Sequence, residues 1–207
     1  MCKNSFRLIF DQLLNKNYQT NIKENKMTTW KIDPAHSEVN FNVKHLLVST
    51  VRGNFDKFDA NIETSKEDFS DAKIEFEADI NSISTKNEQR DAHLKSSDFF
   101  DADNNPKMTF KSTSVKKVSD YELKVKGNLT LRDVTKEISL DVIYNGTVDG
   151  FGGSKVAGFE VRGKLNRFDY GLQWNGLTEA GGIVVSNEIK IEIFAEFNKV
   201  NEAVKAA

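Results

Sequence analysis

The residues best suited to acid–base or metal chemistry in this chain are its three histidines, His36, His45 and His93. No two of them have the close spacing of a metal motif such as H-E-x-x-H. The single cysteine, Cys2, lies far from all three, so no metal site is expected. Ser37 stands beside His36, but adjacency in sequence is not a triad, and no G-x-S-x-G turn occurs. Arg90-Asp91 and Arg167 with Asp169 offer charged pairs, whose simplest use is to fix loops at the rim of a fold. The glycine-rich stretch Gly146 to Gly158 is not followed by a helix carrying Lys and Ser or Thr, so it is no phosphate cradle. His45 is the interesting histidine. It shares the inward parity of an apolar face, where a polar ring needs a partner; a ligand head group or a buried carbonyl would serve equally. If the chain were an enzyme, His45 or His93 would be its acid or base.

The element that positions His45 runs from Trp30 to Phe58. Val39, Phe41, Val43 and His45 alternate with Asn40, Asn42 and Lys44, the period of a strand with one face on a core. Val51 to Phe55 repeats the parity after a short break at Leu46 to Thr50, which predicts a hairpin. Ala72, Ile74, Phe76, Ala78 and Ile80 form the cleanest alternation. Further strands are expected around Met108 and Phe110, Tyr121 to Leu131, Ile138 to Tyr144, Phe159 to Leu165 and Ile183 to Phe197, including Leu123, Leu140, Phe159 and Ile191 on inward positions. The period breaks once. Ser84 or Thr85 can cap a helix over Glu88 to Ser97, with Arg90, His93, Leu94 and Ser97 on one face. Asp101 to Pro106 must be loop.

About eight amphipathic strands without a strand–helix–strand rhythm exclude a parallel sheet. They close most simply into an eight-stranded antiparallel β-barrel, which can hold one small ligand; a two-sheet sandwich satisfies the same periodicity. Fifteen Phe and twelve Gly against two Pro suit an all-β chain with a bulky interior. A net charge of −2 and a pI near 6.0 provide no field for nucleic acid. One cysteine permits no internal disulfide. Residues 1–27 form a polar lead-in, read as a disordered tail or one that precedes a natural start at Met27. Residues 200–207 are a short C-terminal tail, and 28–199 are the domain. No export signal is read near the start, so a cytoplasmic location is expected, and no run approaches a membrane span.

Several motifs occur in order across almost the whole domain. They are Trp30-Lys31-Ile32-Asp33-Pro34-Ala35-His36-Ser37, Phe41-Asn42-Val43-Lys44-His45-Leu46, Gly53-Asn54-Phe55 and Ser82-Ile83-Ser84-Thr85. Arg90-Asp91-Ala92-His93-Leu94 follows, with Ser97-Asp98-Phe99-Phe100-Asp101-Ala102 and Pro106. Gly127-Asn128-Leu129-Thr130-Leu131 and Arg167-Phe168-Asp169-Tyr170-Gly171 complete the set. With these the chain from Thr28 to about Lys199 resembles the YceI-like family of polyisoprenoid-binding proteins. It departs from the family at Arg132-Asp133, where His-Gly is common and where Asp133 is expected to tolerate the turn, and at Asn187, where an acid is common.

The resemblance implies an all-β, extended lipocalin-like barrel with one short inserted helix, a long apolar cavity and no catalysis. It implies no cofactor beyond a bound polyisoprenoid, quinone, fatty amide or similar long-chain lipid, carried or stored. It also makes a homodimer through an outer barrel face plausible. The lining residues expected on that basis are Phe41, Val43, Phe55, Phe76, Phe110, Leu123, Leu140, Phe159 and Ile191, with His45 and Arg167 as head-group contacts. A stress-related barrel with no fixed ligand is the remaining alternative.

Overall fold

A computed structural model of the chain describes residues 26–176 and 184–200. The expected tails therefore lie outside the described residues, apart from Lys26, Met27 and Val200. Eleven strands form one antiparallel sheet: β1 (Thr28–Ile32), β2 (Glu38–His45), β3 (Ser49–Phe55), β4 (Phe58–Thr64), β5 (Lys73–Asp79), β6 (Ile83–Ser84), β7 (Lys107–Lys117), β8 (Glu122–Leu131), β9 (Val134–Asp149), β10 (Lys155–Asn166) and β11 (Val185–Lys199). Eight of them, in the order β1-β4-β5-β7-β8-β9-β10-β11, close on themselves because β1 also pairs with β11.

The three strands beyond the expected eight are produced by breaks in longer ones. β1 and β2 lie along the same edge of β11. The first meets Phe197 to Lys199 and the second Val185 to Phe194. Between them Pro34, which has no N–H to give a ladder, starts a 3₁₀ turn over Pro34–His36 that Asp33 caps through Ala35 N. β3 and β4 are divided by a bend at Asp56-Lys57, whose N–H groups turn out of the ladder to Ser82 O and Oγ, and β6 adds a short rung to β3. The wall is thus an eight-stranded barrel carrying an upper storey made of β2, β3 and β6.

The helix α1 (Glu88–Lys95) follows that storey. Its cap is Asn87, which accepts from Arg90 N, and not Ser84 or Thr85 as the spacing suggests. Thr85 is otherwise engaged: its hydroxyl and N–H both bond Asp91, and its oxygens take Arg90 Nε and Nη2 at 2.7 and 2.8 Å. The motif's Arg and Asp therefore clamp the helix to the end of β6.

The barrel end away from α1 is plugged. The loop between β4 and β5 carries Phe69 back into the lumen with φ +56° and 2% exposure. Its ring meets Trp30, Tyr144 and Phe159 at centroid distances of 5.0–5.3 Å. Asp71 holds this loop by accepting from Ser65 N and from the hydroxyls of Ser65 and Thr64. Burial alone would raise its pKa, but those hydrogen bonds outweigh it and hold the carboxyl at about 2. The folded value lies below the unfolded one of about 3.9, so the stabilisation is present above about pH 4 and is lost as pH falls through about 2. Asp71→Asn is expected to cost about 1 kcal/mol at pH 7, after allowance for the partial exposure of the group. The gap to the parent should shrink as urea midpoints are compared from pH 7 down to pH 3. An unchanged gap would detach Asp71 from the acid response.

Candidate functional site

The inward faces of the strands enclose an apolar cavity of about 230 Å³. Its lining runs from Phe69 and Phe197 at the plugged end to Leu172 and Val185 at the other. Phe41, Val43, Phe55, Phe76, Phe110, Leu123, Leu140, Phe159, Ile191 and Arg167 all lie on this wall. Among the described residues, Arg167 and Asn40 are the polar side chains on it.

Three glycines keep part of the lumen clear by close approach: Gly53, Gly163, and Gly127, where a Cβ would stand 2.3 Å from Phe110 Cζ. Across the sheet, Leu140 pairs with Gly163, Gly163 with Ile191, Ile191 with Phe41, and Phe41 with Gly53. A Cβ at Gly163 would stand 2.4 Å from Leu140 Cδ2, and one at Gly53 2.3 Å from Phe41 Cζ. Leu140 and Phe41 therefore lie along the wall over a neighbouring glycine instead of projecting into the centre.

Arg167 begins the 3₁₀ turn Arg167–Tyr170 and is 2% exposed. Nε donates to Ser186 O (3.1 Å), Nη1 to Leu172 O (2.5 Å) and Trp174 O (2.7 Å), and Nη2 to Val185 O (3.3 Å). No carboxylate pairs with it among the described residues; Asp169 does not fill that role. Its guanidinium also lies over the Phe168 ring, 4.5 Å from the centroid. Burial lowers its pKa from the usual guanidinium value, though such a group stays protonated in proteins. A positive charge held by carbonyl dipoles and an aromatic face, with no carboxylate among the described residues, thus stands at the α1 end of an apolar chamber.

His45 is placed differently from its parity. It ends β2 opposite Ser49 and Val185, half-buried at the rim, and is not part of the cavity wall. Water at the rim meets the polar need that a buried ring would have had. His93 Nε2 donates to the Asp98 carboxylate at 2.9 Å, and the ring packs edge-on against Phe99 and Trp174, also off the wall. His36 meets a carboxylate that spacing did not reveal. The register of β11 brings Glu196 beside Asp33 and His36, their ligating atoms within 4.8 Å of one another. The Asp33 hydrogen bond and both acids raise the His36 pKa, and Asp33 is lowered in turn. The group ties the Pro34 turn to β11 and lies on the outside, with the His36 side chain 66% exposed.

At the β8–β9 turn the strained position is Arg132 (φ +52°), not Asp133. Its Nη1 bonds Gly171 O at 3.0 Å and anchors the turn that starts at Arg167. Neither Arg132-Asp133 nor Asn187 lines the cavity. The lining residues that pattern reading passed over include Phe69 in the loop between β4 and β5, Leu94 on α1, and Phe99, Phe100 and Leu172 outside the regular elements. For Phe69 a large hydrophobe among polar loop residues was the available signal, and for Phe99-Phe100 the aromatic pair itself.

Comparison with known proteins agrees with this geometry. The YceI-like domain model matches residues 30–197. A UPF0312 protein of Staphylococcus aureus strain N315 is 43% identical over 173 residues, covering 83% of this chain and 98% of its own. A crystal structure of the Campylobacter jejuni YceI protein superposes with a TM-score of 0.66 at 32% identity, covering 76% of this chain and 90% of that one. A polyisoprenoid binding domain from Saccharophagus degradans shares the fold at 15% identity and a TM-score of 0.58, over 81% and 97% of the two chains. With a closed barrel, an apolar lumen and a family match across nearly the whole described domain, the chain belongs to the YceI-like family.

Proposed function

We propose that the protein binds a long-chain lipid, of polyisoprenoid or similar type, inside the barrel and carries or stores it without chemical change. The observation that carries this reading is the continuous apolar wall closed at one end by Phe69. Each methylene moved from water into such a lumen contributes about 0.8 kcal/mol, so a handful of carbons offsets much of the ordering cost. Arg167 gives the chain a direction: an anionic or carbonyl head group is favoured at the α1 end, hydrocarbon at the Phe69 end. At about 230 Å³ the lumen is smaller than the roughly 300–1,000 Å³ of ordinary ligand pockets. A long chain is therefore accommodated by outward rotation of the phenylalanines or with its remainder outside the α1 end. The shared fold with a polyisoprenoid binding domain from Saccharophagus supports binding of such a chain.

Organic extraction of the purified protein followed by mass spectrometry tests the reading. The expected result is one lipid chain per barrel, or stoichiometric uptake of an added prenyl chain by protein purified empty. A clean extract together with failure to take up any prenyl, quinone or acyl chain would overturn it.

A further inference from the structure

The hairpin between β2 and β3 breaks two rules at once. Its loop is the three residues Leu46 to Val48 between the paired His45 and Ser49, and it opens with a β-turn closed by Val48 N to His45 O (3.2 Å), with φ +50° at Leu46 and +60° at Leu47. Both central residues of such a turn take the left-handed conformation, which favours Asn-Gly and is unfavourable for leucine. The apolar side chains displayed there are not buried either: Leu46 is 40%, Leu47 73% and Val48 83% exposed. Local strain combined with exposed hydrocarbon is the pattern of a site kept for an interaction.

Position and charge identify the partner. Val43, two residues before the turn, lines the cavity, and Leu46 N bonds Val184 O beside Val185, another lining residue. The tip therefore stands at the unplugged end of the lumen. Lys44 and Arg52 on the outer face of the same hairpin are exposed, as is Lys190 on the adjoining β11, which pairs with Asn42. None of the three forms an ion pair among the described residues. Elsewhere many strand lysines are matched with acids, as in Lys107–Glu77, Lys111–Glu75, Lys124–Asp141 and Lys126–Glu137, while Lys73, Lys116 and Lys136 stand singly on other strands, Lys73 and Lys136 without an exposed apolar tip beside them. Phe151, fully exposed at the plugged end, lacks this setting: it adjoins a segment where Asp149 pairs with Lys155.

We infer that the Leu46–Val48 tip is a membrane-docking element that inserts into the interface of an anionic bilayer, bringing the α1 end of the barrel to the lipid surface. This rests on the lipid-binding reading above and adds the place where the ligand is exchanged. Two or three apolar side chains with a few cations give reversible adsorption, each cation contributing about fivefold near an anionic surface. Such weak docking suits a carrier that has to leave again.

Flotation with vesicles of equal parts phosphatidylglycerol and phosphatidylcholine, and with phosphatidylcholine alone, tests it. The parent should float with the anionic vesicles and far less with the neutral ones. L47S/V48S should reduce partition at least about tenfold, and K44Q/R52Q about twenty- to thirtyfold at low salt. Phe151→Ser should change nothing. L46N/L47G installs a favoured turn, so it should raise Tm by a few degrees while losing vesicle binding; a merely structural turn would not separate the two. Uptake of a short prenyl chain from solution should be unaltered in L47S/V48S, with transfer from vesicles slowed. Loss of solution uptake in the parent would refute the cavity reading, whereas unchanged flotation of L47S/V48S would refute the docking tip alone. Loss in K44Q/R52Q without loss in L47S/V48S would also overturn insertion. So would conversion of a dimer to a monomer by L47S/V48S with flotation intact, which would make the tip a contact between copies.

Discussion

Gly163→Leu is expected to empty the barrel of lipid while leaving it folded. The new side chain points into the lumen from β10, and the Leu140 side chain that now lies over Gly163 has nowhere to go except the centre. The structure relaxes into free space, so the usual overpacking cost of about 1–3 kcal/mol should be reduced, and a side chain in place of glycine favours the strand. The ligand bears the loss. Excluding about four methylenes from a chain buried at about 0.8 kcal/mol each weakens binding by about 3 kcal/mol, roughly a hundredfold. The reciprocal variant L140G/G163L exchanges large and small across the same pair and should restore the lumen. Titration with a fluorescent prenyl chain, alongside thermal unfolding, reads both quantities. If G163L retains the parent's affinity, the belt of Leu140, Gly163, Ile191, Phe41 and Gly53 does not define the binding space. If L140G/G163L remains empty although folded, the loss has some cause other than volume.

That belt also marks the boundary of what alternation reveals. Parity identified the inward face of β5, β8, β10 and β11 because side chains on a pleated strand must alternate. Hence Phe76, Leu123, Phe159 and Ile191 were legible as wall residues. Parity says nothing about register between strands. It therefore could not show that Gly163 lies under Leu140, or that β11 carries Glu196 to Asp33 and His36. It misled at His45, because periodicity continues to the end of a strand even where the lumen has stopped. Phe69 escaped for the opposite reason: its burial depends on a left-handed backbone at one residue of a polar loop. The family resemblance selected a barrel over a sandwich, a choice that only the β1–β11 pairing decides physically.

Arg167→Met should cost about 3–5 kcal/mol and lower Tm by about 10 °C, the largest loss of stability for a single polar side chain here. Methionine is long and apolar enough to fill the space, so the penalty is not a cavity. It comes from four carbonyls, of Leu172, Trp174, Val185 and Ser186, that lose their donors together in a site shielded from water. Those carbonyls belong to two stretches of chain, one after the Arg167 turn and one opening β11. The guanidinium fastens them together and so fixes the α1 end of the barrel. Arg167→Lys keeps the charge, but an ammonium has three donors on a flexible stem and cannot span the same fork. It should lie between the parent and the methionine variant in urea unfolding. Four of the five guanidinium N–H groups are engaged, which leaves one Nη2 donor and an unneutralised charge facing the lumen. In the folded lysine variant, affinity for a prenyl phosphate should therefore fall more than affinity for the corresponding alcohol. Equal losses for the two ligands would reduce Arg167 to a purely architectural role, and a methionine variant as stable as the parent would remove even that.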